Sequence, residues 1–153
     1  MSDPYPINLN LTDKPVVVIG GGRVAARKIR SLLAAGAKVT VISPTLSAQI
    51  KPRSVTWLQR PYRSGDIAKF GLIIACTSDE AVNHQIVMEA NAFQWVNNTS
   101  EKEQSDFFNV AKIENHQYLI TVSSKGRFPK MTKFIKRQLV IWLREKKWFR
   151  EES

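Results

Sequence analysis

Residues 15–27 read PVVVIGGGRVAAR, from Pro15 to Arg27, an apolar run that breaks on three glycines and resumes as a helix pattern. Val16, Val17, Val18 and Ile19 are β-branched with no polar alternation, the composition of a strand buried on both faces of a parallel sheet. Gly20, Gly22 and Ala25 then fit G-x-G-x-x-G/A. In that pattern the first glycine makes a tight turn, the second lets the backbone approach a pyrophosphate, and the last small residue lets helix pack closely on strand. A helix starting there presents its free N–H groups and positive dipole end to the phosphates.

The surroundings strengthen this reading. Val24, Ala25, Ile29, Leu32 and Leu33 share one face at helical spacing, and Gly36 sits where a helix C-terminal glycine belongs. Residues 38–42 (KVTVI) supply a second strand and close a β-α-β unit. The alternative is a glycine turn in a Rossmann-like sheet that binds nothing; strand, turn, helix and strand in order favour a nucleotide. An acidic residue usually ends the second strand and holds the ribose hydroxyls, but here Ser43, Pro44 and Thr45 stand in its place. NAD and NADP therefore both remain open, and Arg23 beside the loop suits a 2′-phosphate.

With 153 residues, the chain has material for one core, or one domain plus an appendage that needs a partner. No apolar run approaches the ~20 residues of a membrane span. The start, MSDPYPINLNL, lacks a basic region followed by an apolar one, so no secretion signal is expected. Cys76 is the single cysteine, which forms no internal disulfide and fits a reducing, cytoplasmic location. The net charge of +10 attracts polyanions, whether nucleic acid, anionic lipid or a substrate with many carboxylates or phosphates.

Further along, Ile7, Leu9 and Leu11 alternate as a strand or ordered arm, and residues 44–52 suggest a short helix. Strands are expected at 55–58 (VTWL), 70–76 (FGLIIAC) and 93–96, with a loop at 60–66. Thr77, Ser78 and Asp79 suit the cap of a helix over 80–91 that buries Val82, Ile86, Val87 and Ala90. Residues 1–106 thus predict an α/β fold, a Rossmann-like doubly wound parallel sheet with ligands at the carboxyl ends of its strands. Residues 107–153 follow another grammar. Strand-like runs at 107–113 and 117–123 flank a turn at Glu114, Asn115 and His116, and a basic loop over 125–129 leads into a long amphipathic helix. Met131, Phe134, Ile135, Leu139, Trp142 and Leu143 mark that helix's apolar face.

A hairpin and one helix cannot enclose a core, so this segment is expected to pack on the sheet domain or on a second subunit, and a homodimer is favoured. Its basic residues, Lys130, Lys133, Lys136, Arg137, Arg144, Lys146, Lys147 and Arg150 among them, read first as a solvated face. A membrane-surface helix using Trp142, Trp148 and Phe149, and a nucleic-acid-binding helix, are less favoured than packing, so neither partner is expected. His84 and His116 read as surface or capping residues, and no His, Cys and carboxylate set has zinc spacing, so no metal site is expected.

The whole chain resembles the precorrin-2 dehydrogenase family, which includes the dehydrogenase and ferrochelatase module of siroheme synthases. The likeness rests on PINLNLTDKPVVVIGGGRVAARKI, AGAKVTVISP, LIIACTSDEAVN, WVN, SDFFNVA and ITVSS followed by a loop and Pro129. It implies a homodimer with an N-terminal NAD-binding Rossmann domain, and a strand-and-helix region exchanged between subunits. It also implies NAD-dependent oxidation of precorrin-2 to sirohydrochlorin, with iron insertion in some members. Precorrin-2 carries eight carboxylates, which the charge of +10 suits. The implied cofactor contacts are Gly20, Gly22, Arg23, Val24, Ser43, Pro44, Thr45 and Thr77, and the implied substrate contacts are Ser124, Lys125 and Arg127.

Two departures accompany the likeness. Ser100 stands where the family commonly has an Asp, in the stretch Asn97-Asn98-Thr99-Ser100. A hydroxyl does not accept a proton near neutral pH as a carboxylate does, so a base role falls to Glu101, Asp106, His84, His116 or water, with Glu101 nearest in sequence. Ser100 and Glu101 are accordingly the catalytic candidates. Lys125, Gly126, Arg127 and Phe128 replace the small residues usual before Pro129. A second reading, motivated by these departures, is a family member that holds NAD or a tetrapyrrole as sensor, carrier or partner without turnover.

Overall fold

A computed structural model describes residues 4–146, so Lys147, Trp148, Phe149 and Arg150 lie outside the described residues. Residues 6–107 form one unit, and residues 108–146 with residues 4–5 belong to a second. The first unit contains β1 (Pro15–Ile19), α1 (Arg23–Ala34), β2 (Lys38–Ile42), β3 (Thr56–Leu58), β4 (Leu72–Ala75), α2 (Glu80–Glu89) and β5 (Trp95–Asn98). The second contains β6 (Ala111–Glu114), β7 (Leu119–Val122) and α3 (Pro129–Glu145).

All five strands of the first unit run parallel in the order β3-β2-β1-β4-β5. Strand residues alternate between two cores. Val16, Val18, Val39, Val41, Leu72 and Ile74 meet Ala25, Ala26 and Ile29 of α1, while Val17, Ile19, Ile42, Ile73, Ala75 and Val96 meet Ile86 of α2. The helices therefore cover opposite faces, as a doubly wound sheet requires. The direction of winding reverses between β1 and β4, and in open sheets of this kind ligands bind beyond the carboxyl ends of the strands at such a point.

Local chemistry sets the boundaries. Helix α1 ends in a Schellman turn: Gly36 has φ +77°, its N–H donates to Leu33 O at 3.0 Å, and Ala37 N–H donates to Leu32 O at 3.0 Å. The helix is turned slightly from the phase read in the sequence, since Val24 is exposed and Ala26 is buried in its stead. No helix forms over residues 44–52. Ser47 N–H donates instead to Gly21 O at 2.7 Å, and Ser47 Oγ accepts from Gln49 N–H at 3.3 Å, so one distant and one local bond displace the helical ladder and only a 3₁₀ turn, Pro52–Ser54, appears. The strand expected at 93–96 begins two residues later. Asn91 Oδ1 accepts from Phe93 N–H at 2.9 Å and Gln94 N–H closes back on Asn91 O at 3.0 Å, which makes a turn of the first two positions.

Residues 7–11 form no strand; Leu11 packs on the α1-side core, whereas Ile7 and Leu9 are exposed. In the second unit β6 and β7 pair antiparallel with Ile113 opposite Ile120, and the strand-like residues 107–110 stay outside the ladder. Its small core joins Ile113 and Leu143 with Ile120, Leu139 and Val140. Met131, Phe134, Ile135, Ile141 and Trp142 on α3 are exposed.

Candidate functional site

Gly20, following β1, has φ +120°, a conformation L side chains rarely adopt. A Cβ there would lie 2.4 Å from Cys76 O, and one on Gly21 would lie 2.0 Å from Thr45 O. Packing of the loop against its neighbours thus requires both glycines. Gly22 is different: its φ is −80°, and a Cβ on it would meet nothing within 4 Å. The space its missing side chain leaves lies at the start of α1, of which Gly22 is the N-cap.

No side chain caps α1, and its first turn holds no acid. Helix α2, by contrast, is capped by Asp79, whose side chain accepts from Ala81 and Val82 N–H. Within one sheet unit, then, the helix behind the glycine loop keeps its first N–H groups uncapped by any side chain and has room above them. That donor set suits a dinucleotide pyrophosphate.

The other cofactor candidates surround this loop. Ser43 is buried, its hydroxyl 2.8 Å from where a Gly21 Cβ would be, and its carbonyl accepts from Trp57 Nε1 at 2.9 Å. Pro44, Thr45, Arg23 and Val24 are exposed. Thr77 follows β4 beside Gly20 and is half-buried. Its N–H donates to Asn83 Oδ1 at 3.0 Å, its carbonyl accepts from Asn83 Nδ2 at 3.1 Å, and its Oγ1 lies 2.8 Å from Asp79 O.

Polar side chains gather at the carboxyl end of β5. Asn83 is fully buried on α2, and its Nδ2 also reaches Ser100 Oγ at 2.5 Å. Asn98 is buried too. Its Oδ1 accepts from Ser100 N–H at 2.9 Å and Glu101 N–H at 3.4 Å, and its Nδ2 donates to Gln104 Oε1 at 3.0 Å. Gln104 Nε2 donates to Glu101 Oε2 at 2.5 Å. Gln104 Oε1 also faces His84 Nδ1 at 3.1 Å, and as that oxygen only accepts, the proton belongs on Nδ1. Asp106 is committed elsewhere: its Oδ2 accepts from Val96 N–H at 2.8 Å.

Behind these residues, Lys28 of α1 donates to Asn97 Oδ1 at 2.7 Å. Burial pulls the Lys28 ammonium below its ordinary pKa and pushes the Cys76 thiol up to about 12, so Cys76 is a packed core residue with little thiolate at neutral pH. Among the described residues no three His, Cys, Asp or Glu side chains gather as a metal site, and no helix is long and apolar enough to cross a membrane.

Ser124, Lys125 and Arg127 lie in the second unit, between β7 and α3. Ser124 Oγ accepts from Phe128 N–H at 2.9 Å and meets Thr132 Oγ1 at 2.9 Å, so it shapes the entry to α3. Lys125 has φ +54° in the same turn, and Lys125 and Arg127 are exposed. The residues that the reading by motif passed over are Asn83, Asn98 and Gln104. Only Asn83 carries a signal in the sequence, an amide on the apolar face of a helix beside Val82, Ile86 and Val87, which says that a buried polar contact exists without saying with what; Asn98 and Gln104 stand among polar neighbours.

A family model described as NAD(P)-binding matches residues 7–111. Precorrin-2 dehydrogenase of Bacillus subtilis is 33% identical over 132 residues, covering 84% of this chain and 82% of that protein. Siroheme synthase of Neisseria meningitidis is 36% identical over 140 residues, covering 88% of this chain but only 29% of the longer synthase. Among solved structures, SirC, a precorrin-2 dehydrogenase, superposes with a TM-score of 0.79 at 29% identity, over 88% of this chain and 69% of that one.

Proposed function

This chain belongs to the NAD(P)-binding precorrin-2 dehydrogenase family, and on that premise we propose that it oxidises precorrin-2 to sirohydrochlorin with NAD, in siroheme synthesis. The observation that carries the reading is the open space at Gly22, beside an uncapped helix at the reversal point of the sheet. Gly20, Gly22, Arg23 and Val24 hold the pyrophosphate, Ser43, Pro44 and Thr45 border the adenosine side, and Thr77 borders the nicotinamide side. NAD when bound supplies the hydride acceptor.

Precorrin-2 loses one hydride and one proton in this oxidation, giving NADH and H⁺. Glu101 is the proton acceptor in this reading, since its carboxylate is exposed beside Ser100 and held through one oxygen by Gln104. Ser124, Lys125 and Arg127 bind substrate carboxylates. The chain works as a homodimer in the cytoplasm, joined through residues 107–153, with neither nucleic acid nor membrane as partner. The exposed apolar side chains of α3 support that assembly.

Purified protein with NAD and precorrin-2 tests the enzyme reading by the appearance of NADH absorbance; none above a no-enzyme control overturns it. Adding ferrous iron afterwards tests iron insertion through the siroheme spectrum. The second reading, a binder without turnover, is favoured by the hydroxyl of Ser100 in place of the family's acid. Tight tetrapyrrole binding with no redox change would establish it.

A further inference from the structure

The hydrogen-bond network at the end of β5 fixes the polarity of Ser100. A backbone N–H only donates, so the Asn83 atom that meets Thr77 N–H at 3.0 Å is the side-chain oxygen. The amide nitrogen then faces Thr77 O at 3.1 Å and Ser100 Oγ at 2.5 Å, and there it donates. Asn83 is fully buried and tied at both ends, so it cannot flip without leaving the Thr77 N–H and carbonyl unpaired. Ser100 Oγ is therefore an acceptor toward the protein. Its own proton finds no acceptor among the described residues, and Ser100 is exposed. The backbone on either side is immobilised by Asn98 Oδ1, which accepts from Ser100 and Glu101 N–H.

We propose that Asn83 is a positioning residue that makes Ser100 an outward hydrogen-bond donor, so that Ser100 binds a carboxylate of the substrate and takes no proton from it. The proposal rests on the reading of a polycarboxylate tetrapyrrole as substrate. It divides the two adjacent candidates by role. Ser100 donates to an acceptor-only group, and Glu101, a carboxylate pinned through one oxygen, accepts. A carboxylate at position 100 would accept from Asn83 equally well, so the same scaffold serves an acid or a hydroxyl and Asn83 does not dictate which stands there.

The test is calorimetric titration of the purified full chain with sirohydrochlorin, beside steady-state NADH formation from precorrin-2. Ser100→Ala is expected to weaken sirohydrochlorin binding about ten-fold, the worth of one hydrogen bond to a charged group, and to raise KM with kcat within about two-fold. Ser100→Thr keeps the hydroxyl and restores affinity. Asn83→Ala is expected to weaken binding to a similar degree, and the double variant no further than Ser100→Ala alone, because Asn83 acts through Ser100. Wild-type affinity in Ser100→Ala overturns the proposal, as do losses that multiply in the double variant, or absence of sirohydrochlorin binding by the wild type. Wild-type binding without NADH formation, with the variant pattern intact, removes the dehydrogenase reading and leaves the assignment of Ser100 standing.

Discussion

Gly20 packs so closely on Cys76 that a Cβ would lie 2.4 Å from the Cys76 carbonyl oxygen, whereas two residues on, a Cβ at Gly22 would touch nothing within 4 Å. The fold requires the first glycine, whereas the second leaves open space at the start of α1, where the proposed reading seats the phosphates. Gly20→Ala should cost ~2 kcal/mol or more, through the clash and its φ of +120°. Gly22→Ser should hold or raise stability, since serine is a preferred N-cap, yet weaken NAD binding at least ~10-fold by filling the phosphate space and engaging its donors. Thermal melts and NAD titrations of the two variants separate these outcomes; equal loss of stability would contradict the division.

Glu101→Gln should lower kcat by ~100-fold or more, the usual worth of a positioned general base. The glutamine carbonyl can still accept from Gln104 Nε2, so fold and NAD affinity should hold. Unchanged kcat would move the proton to His84 or to water.

Tyr62 O–H donates to Glu89 Oε2 at 2.6 Å, and Arg60 grips Asp66 through two nitrogens at 2.7 and 2.8 Å, closing the 60–66 loop over the α2 side of the sheet unit. The bond from Tyr62 holds the Glu89 carboxyl below its ordinary pKa, and the bond from Arg60 does the same for Asp66. Both contributions are whole above the ordinary carboxylate range and are lost as pH falls through the lowered folded values. Melting temperature should therefore decline in acid below that range. Tyr62→Phe should cost ~1 kcal/mol near neutral pH and flatten part of the acid decline; an unaltered profile would refute the Tyr62–Glu89 contribution.

On α3, Phe134 and Ile135 are 57% and 41% exposed within one chain, more apolar surface than a soluble helix gains by leaving bare. Phe134→Glu or Ile135→Glu should shift the protein from dimer toward monomer in sedimentation, while Leu143, buried against Ile113, keeps the second unit folded. A wild-type monomer would remove the homodimer reading.

The β1 run, the glycine loop and the Gly36 stop were legible because each rests on local chemistry: β-branched residues in sequence, an otherwise disfavoured φ, and a helix end whose last carbonyls are satisfied by the turn at Gly36. The capping role of Asp79 was legible for the same reason. Residues 44–52 misled because their helical composition competes with bonds from Ser47 to the glycine loop, a partner distant in sequence.

By itself the sequence determined the strand and helix alternation of the sheet unit, the glycine turn between β1 and α1, and a family likeness resting on GGGRVAARKI and AGAKVTVISP. Only the tertiary structure decided how the polar side chains at the end of β5 are paired. Asn83 and Ser100 are 17 residues apart and meet only because α2 lies over the end of β5. The direction of a hydrogen bond between two groups that can each donate or accept is set by their other partners, and those partners, Thr77 and Asn98, are brought in by the fold.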